Sequence, residues 1–257
     1  MNKNHGNNYI YGKNPVYEIL QNNPKRINKI YIQKNISYDN RLKKIIELAN
    51  QNKIIIQNVD LKKFIKYFEE KPNFQGVTAS VAPIEYIELE DFLSFNKSEY
   101  KKIVILDGIS DPHNFGAIIR TVAAAGFDGI LVSNHRSCPI NATVEKISSG
   151  AINHIPIIKT TSLNASIDYL KKQDFWIIAT QMEARQNYYE IDYTDMNFAL
   201  VMGSEGSGIS KTILNKADFT VKLESNFESL NVSAATAVIV YEAIKQIKVK
   251  SCTKARK

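Results

Sequence analysis

The chain has 257 residues, 44% hydrophobic and 23% charged, with a formal net charge of +7. These values are typical of globular proteins, and the length permits one large domain or two ordinary ones. No apolar run reaches the roughly 18 residues that a membrane-spanning helix needs. The stretch MNKNHGNNYIYGKN lacks the apolar core of a secretory signal. Cys138 and Cys252 are the only cysteines, which excludes a disulfide framework and a four-cysteine metal site. We therefore expect a soluble, cytoplasmic protein without a metal or a membrane partner.

The positive charge is concentrated in the first third of the chain. Residues 1–85 hold 14 Lys and Arg against 7 Asp and Glu, whereas residues 86–257 hold 19 of each. The segment from Lys245 to Lys257 adds a basic tail with no acidic residue. Clustered basic side chains favour a polyanion such as RNA through counterion release. A solvated surface and a disordered tail would explain the same charge equally well.

In chain order, short apolar runs alternate with amphipathic stretches as far as Pro83, which predicts a small α/β unit. Helices are predicted at VYEIL (16–20), 40–51 and 60–70, and strands at 29–33, 53–57 and 77–83. The acidic and then polar stretch that follows predicts a linker. The predicted domains are therefore residues 1–85, a linker at 86–100, and a second domain at 101–257.

The second domain alternates more regularly between buried β-branched runs and helical stretches. Its predicted strands are 103–106, 129–132, 154–158, 175–180, 198–203 and 219–223. Such a pattern is typical of a parallel sheet with helices on both faces. Ligands of these sheets bind at the carboxyl ends of the strands, so the segments that follow the strands are the candidate site.

The first such segment is DGISDPHNFGAIIRTVAAAGF, in which a turn with Asn114 leads into a helix. Gly116 and Arg120 are four residues apart and share a helix face. A glycine beside a guanidinium leaves room for a ligand. Arg120 would equally suit an ordinary surface position or a structural ion pair.

The second segment, SEGSGIS, follows the strand that ends at Gly203. Gly206 and Gly208 permit close backbone approach. The segment is neither a P-loop nor a G-x-G-x-x-G fingerprint. Because Glu205 lies among the glycines and would repel a phosphate, a cationic or hydroxyl-bearing ligand fits better.

The third segment places Ser229, Asn231 and Ser233 at the start of the last helix. Helix N-capping explains one of the three. The candidate site therefore consists of five polar residues on three loops, which suit orientation and hydrogen bonding better than covalent or metal chemistry. They are Asn114, Arg120, Glu205, Ser229 and Asn231.

The cores of the three segments read NFGAIIRTVAAAGF, LVMGSEGSGIS and SLNVSAATAVIVYEA. In this order they resemble the three motifs of the SpoU family of RNA ribose methyltransferases, also called the TrmH family. YIYGKNPVYEIL and FQGVTASVAP are similar to the substrate-binding domain of one branch. That branch methylates a guanosine 2′-hydroxyl in large-subunit ribosomal RNA. Phe74 departs from the branch, which often has His there.

The resemblance implies a small N-terminal α/β domain that binds RNA and a C-terminal domain with a trefoil knot. Connection rules argue against a knot, and only the resemblance predicts one. It further implies a homodimer, S-adenosylmethionine as methyl donor, and a donor site that includes backbone groups of Gly203, Val221, Leu223 and Leu230. No DNA partner is implied.

The resemblance also implies roles for the polar residues. Arg120 would lie at the centre of catalysis, and Asn114 and Asn231 would orient the ribose and Arg120. Glu205 would hold Arg120 or its neighbours in place. Ser229 would support the same hydrogen-bond network. An arginine is effectively always protonated, so we expect Arg120 to bind the target phosphate and stabilise the alkoxide rather than to act as base.

Three alternatives remain at this point. A transfer-RNA methyltransferase of the same family would keep the chemistry and change the substrate. A catalytically inactive RNA-binding paralogue would keep the fold alone. A nucleotide-dependent oxidoreductase on a doubly wound sheet is disfavoured because the chain lacks G-x-G-x-x-G.

Overall fold

A computed structural model describes residues 8–60, 75–226 and 228–254. Apart from Asp60, the helix predicted over residues 60–70 lies outside the described residues, as does Phe74. The described chain forms two compact units. Unit 1 contains the residues up to Glu85 together with Ile140–His154, and unit 2 contains Tyr86–Pro139 and the residues from Ile155 onward.

Unit 1 is built on a four-stranded sheet in the order β1-β4-β2-β3. Its strands are β1 (Asn8–Tyr11), β2 (Ile27–Gln33), β3 (Ile56–Val59) and β4 (Val77–Val81), and its first two helices are α1 (Lys13–Asn22) and α2 (Asn40–Gln51). Strand β4 is antiparallel to β1 and β2, whereas β2 and β3 are parallel. The apolar stripes of the helices meet one face of the sheet, where Ile19 and Leu42 share a buried core with Ile30 and Ala79. The predicted small α/β unit is confirmed.

A short segment that lies between two strands of the second sheet in sequence belongs to unit 1. It consists of α5 (Ala142–Ile147) and a 3₁₀ turn (Ala151–Asn153). The buried Arg26 guanidinium holds it, donating from Nη2 to both Glu145 oxygens at 3.2 Å and from Nη1 to Asn153 Oδ1 at 2.9 Å. Burial raises the pKa of the Glu145 carboxyl, and the Arg26 charge works against that rise.

Unit 2 is a seven-stranded sheet in the order β7-β6-β5-β10-β8-β11-β9, and every neighbouring pair is parallel. The strands are β5 (Lys102–Asp107), β6 (Gly129–Ser133), β7 (Ile157–Thr160), β8 (Phe175–Thr180), β9 (Gln186–Asn187), β10 (Asn197–Gly203) and β11 (Phe219–Lys222). The helices are α3 (Leu89–Phe95), α4 (Pro112–Ala124), α6 (Leu163–Lys172), α7 (Lys211–Leu214) and α8 (Val232–Lys254). The predicted parallel sheet is confirmed; β9, only two residues long, has no signal in the sequence.

The stretch predicted as a linker contains α3. Leu89 and Phe92 on this helix are buried in a core cluster of unit 2 with Ile103 and Ile158. Ile87 also forms a β-bridge with Ile158. The acidic composition of the stretch hides two inward-facing apolar residues, because this seven-residue helix buries only one side.

The topology of unit 2 brings the three candidate segments to one edge of its sheet. Strand β10 lies between β5 and β8, and β8 pairs with β11. Because all these strands are parallel, the chain leaves β5, β10 and β11 at the same end. Helix α8 then packs against α4, so the first and third segments are neighbours. None of the described helices, α8 included, combines the length and the apolar character of a membrane span.

Candidate active site

Three of the predicted polar residues form one hydrogen-bonded cluster. Asn114 Nδ2 donates to Glu205 Oε1 at 3.2 Å. Asn231 Nδ2 donates to Asn114 Oδ1 at 2.9 Å and also to Glu205 Oε1. One carboxylate oxygen of Glu205 therefore accepts two amide hydrogens. We call Asn114, Glu205 and Asn231 the amide–carboxylate cluster.

Local sequence positions the first member of the cluster. Asp111 caps α4 by accepting the His113 N–H at 3.0 Å, and Pro112 occupies the first helical turn, where its missing N–H costs nothing. Asn114 therefore lies in the first turn of α4, at the edge of the sheet where β5 ends.

The loop that carries Glu205 is closed by backbone pairing. Ser204 N–H donates to Gly208 carbonyl oxygen at 3.2 Å, and Gly208 N–H donates to Ser204 oxygen at 2.9 Å. Gly208 has φ of 62°, which favours glycine. A Cβ atom on Gly203 would lie 2.5 Å from Ile209 N and 2.6 Å from Gly208 O, so only glycine fits where this loop returns to β10.

Asn231 has two roles at the start of α8. Its backbone carbonyl accepts the Ala235 N–H at 2.9 Å, and its side-chain Oδ1 accepts the Ser233 N–H at 2.9 Å, which is N-cap geometry. Ser233 Oγ donates to the same oxygen at 2.6 Å. With Oδ1 occupied by capping, Nδ2 is directed at the cluster.

A pocket of about 780 Å³ lies beside the cluster, within the 300–1,000 Å³ range of ligand sites. Gly203, Val221, Leu223 and Leu230, the four residues that the resemblance implied for the donor, all line it. The Val221 carbonyl accepts the Gln181 N–H at 2.9 Å, so one of the two lone pairs of this oxygen is already used within the protein. Glu205 is the member of the cluster that also lines the pocket.

The pocket suits S-adenosylmethionine in size and chemistry. Its volume accommodates a nucleoside with an amino-acid tail, and Met202, Ile209 and Leu230 offer apolar surface to an adenine ring. Three glutamates against two lysines give the lining a small excess of negative charge, which suits a sulfonium or an ammonium group; they are Glu183, Glu205 and Glu224, with Lys211 and Lys222. Within the described ranges there is no group of three His, Cys, Asp or Glu side chains that could hold a metal ion.

The remaining two predicted residues lie outside the cluster. Arg120 is exposed on α4, and its guanidinium has no hydrogen bond or ion pair with any described residue. Ser229 is exposed and lines the pocket, also without a described hydrogen-bond partner. Glu205 is therefore joined by described hydrogen bonds to Asn114 and Asn231 and not to Arg120. Ser233 is not among the five predicted site residues, and its spacing of two from Asn231 is the sequence signal that points to it.

Comparison with known proteins agrees with this geometry. Residues 101–241 match the SpoU rRNA Methylase family, and residues 9–87 match the family of RNA 2′-O ribose methyltransferase substrate-binding domains. A protein of Staphylococcus saprophyticus, which its name assigns to the TrmH family of tRNA/rRNA methyltransferases, is 39% identical over 241 residues. The alignment covers 92% of this chain and 95% of that protein.

Two solved structures are also similar. The SpoU methyltransferase AviRb from Streptomyces viridochromogenes, in complex with the cofactor AdoMet, has a TM-score of 0.77 and 19% identity, over 95% of this chain and 94% of its own. This likeness shows the shared fold. The A. aeolicus TrmH/SpoU tRNA modifying enzyme is 33% identical with a TM-score of 0.53, over 59% of this chain and 77% of its own. The fold class that the resemblance implied is confirmed, and the chain belongs to the SpoU/TrmH family of S-adenosylmethionine-dependent RNA 2′-O-ribose methyltransferases.

Proposed function

We propose that this protein methylates a ribose 2′-hydroxyl of large-subunit ribosomal RNA, with a guanosine as the target, and that it acts as a homodimer. The observation that carries the proposal is the position of Glu205, which belongs both to the amide–carboxylate cluster and to the wall of the pocket. A hydroxyl that is hydrogen-bonded to the cluster would therefore lie beside a ligand in the pocket.

S-adenosylmethionine supplies an electrophilic methyl group when it is bound. The chain must hold the ribose oxygen in line with that group, and alignment of this kind can contribute several kcal/mol to the rate without covalent chemistry. The proposed roles of Asn114 and Asn231 are to orient the ribose, with Glu205 holding both amides. Ser229, on the pocket wall, would support the same network.

Arg120 has a separate role in the proposal. Its exposed guanidinium has no ion-pair partner among the described residues, so it is available to a phosphate of the RNA and to the developing alkoxide. The hydroxyl proton leaves by a route other than Arg120, because a guanidinium stays protonated. An Arg120→Lys variant loses the planar fork, and we expect its turnover to fall at least tenfold; near-wild-type turnover would refute the role of the fork.

Recognition of RNA is assigned to residues 1–85, which carry a net charge of +7. Their match to a substrate-binding family over residues 9–87 supports this assignment. Structured RNA is recognised largely by shape and by unpaired loops, for which a basic domain is suited. Self-association is supported by α8, where Val238 and Tyr241 are 38% and 51% exposed and lie one turn apart on the same helix face.

The test is transfer of labelled methyl groups. Purified protein is incubated with methyl-labelled S-adenosylmethionine and, in separate reactions, with unmodified large-subunit ribosomal RNA and unmodified bulk transfer RNA. We expect label in ribosomal RNA that is lost in the Arg120→Ala variant, and mapping of the labelled nucleotide then tests guanosine. Label in transfer RNA alone would overturn the substrate, and donor binding without label in either RNA would point to an inactive paralogue.

A further inference from the structure

We propose that Ser233 is a positioning residue of this site: its hydroxyl holds the carboxamide plane of Asn231, so that Nδ2 faces Glu205 and Asn114. The inference rests on the proposed function, because the property it explains is the arrangement of groups around the ribose. Ser233 does not line the pocket, and its described hydrogen bonds within the cluster go to Asn231 alone. It acts through Asn231.

The two ends of the Asn231 carboxamide form hydrogen bonds with different partners. Asn231 Oδ1 accepts two donors from Ser233, the backbone N–H at 2.9 Å and the hydroxyl at 2.6 Å. Asn231 Nδ2 donates in the opposite direction, to Asn114 Oδ1 at 2.9 Å and to Glu205 Oε1. A rotated carboxamide would place its NH₂ against the Ser233 N–H, donor to donor, and would leave Glu205 and Asn114 without their shared donor.

Helix capping alone does not account for the hydroxyl. The Ser233 N–H by itself satisfies the cap, and an alanine at this position would keep it. The hydroxyl adds a second, shorter bond to the same oxygen, which restricts rotation of the carboxamide about its terminal bond. Rotation of terminal amide torsions is otherwise broad. The second bond therefore serves orientation.

The orientation of Asn231 affects the pocket through Glu205. Asn231 and Asn114 both donate to Oε1 of Glu205, and Glu205 lines the pocket. If Asn231 turns, the carboxylate loses one of its two amide donors and its own orientation. Because a misplacement of about 1 Å in a reacting group can cost on the order of a hundredfold in rate, loss of the Ser233 hydroxyl should appear in kcat.

Steady-state kinetics of full-length variants provide the first test. We expect Ser233→Ala to lower kcat about tenfold with little change in KM for S-adenosylmethionine, and Ser233→Thr, which keeps the hydroxyl, to recover most of the loss. Ser251→Ala is the matched control, because Ser251 donates to Ile247 O on the same helix, outside the site. In an Asn231→Ala background, Ser233→Ala should have no further effect in single-turnover assays. Wild-type kcat in Ser233→Ala, or an equal loss on both backgrounds, would overturn the proposal.

A second measurement does not depend on turnover. In the full-length protein labelled with ¹⁵N at the asparagine side-chain amides, ¹⁵N relaxation should show that the Asn231 carboxamide is rigid, with an order parameter close to that of the backbone. Ser233→Ala should lower this order parameter, and Ser251→Ala should not. An unchanged Asn231 order parameter in Ser233→Ala would refute the inference even if no RNA is methylated, whereas a wild-type protein that fails to methylate any RNA would refute the proposed function alone.

Discussion

Replacing Gly203 by alanine adds one methyl group where β10 meets the loop that carries Glu205. The added Cβ would lie 2.5 Å from Ile209 N and 2.6 Å from Gly208 O, against an ordinary contact distance of 3.4–4 Å. Both neighbours are backbone atoms, so no side-chain rotation can relieve the overlap. The loop itself must move by about 1 Å.

The magnitude follows from two opposing effects. Overpacking costs about 1–3 kcal/mol, whereas alanine lowers the entropy of the unfolded chain and recovers about 0.4–1 kcal/mol. The net loss in the free energy of unfolding is then about 1–2 kcal/mol. For a chain of this size, that corresponds to a fall in Tm of about 2–8 °C. Affinity for S-adenosylmethionine should fall as well, since the loop lines the pocket.

Gly206→Ala is the matched control for stability. A Cβ on Gly206 would meet nothing within 4 Å, so this variant should unfold at the wild-type temperature or slightly above it. Urea unfolding measures the free energy, and titration calorimetry measures donor affinity in both variants. If Gly203→Ala matched Gly206→Ala in stability and wild type in affinity, the close return of the loop onto β10 would be wrong.

Three further outcomes are expected. Asn231→Asp replaces the Nδ2 donor to Glu205 and Asn114 by a carboxylate oxygen, so kcat should fall about a hundredfold; wild-type kcat would contradict the contact. Glu145→Ala leaves the buried Arg26 charge unpaired and should lower the free energy of unfolding, measured by chemical denaturation, by about 3–5 kcal/mol. The control Asp60→Ala removes one partner of an exposed ion pair and should cost less than about 1 kcal/mol. Equal losses in the two variants would show that the Glu145 pair is not buried. RNA affinity should fall at least about tenfold between about 50 and 200 mM salt in a filter-binding titration, the loss that about two neutralised phosphates give, and no salt dependence would exclude a phosphate-binding surface.

Sequence reasoning identified the parts of the site that depend on local pattern. A buried strand reads as an apolar run, and residues that follow parallel strands must lie at one edge of the sheet. Asn114, Glu205 and Asn231 could therefore be predicted as neighbours, although they are separated by up to 117 positions in the chain. The parallel sheet of unit 2 and the small α/β unit could be predicted for the same reason, because continuous apolar runs mark their buried strands and amphipathic stretches mark their helices.

Only the tertiary structure decided which side chains meet. The five-residue motif SLNVS does not reveal that Asn231 directs one end of its amide to Ser233 and the other to Glu205, because a hydrogen-bond direction depends on the orientation of a plane. Arg26 and Glu145 are 119 positions apart, and neither has a neighbour in sequence that predicts a buried pair. Residues 140–154 follow a strand of unit 2 and yet complete unit 1. Periodicity reports that a residue is buried, but the partner that buries it is set by packing between distant segments.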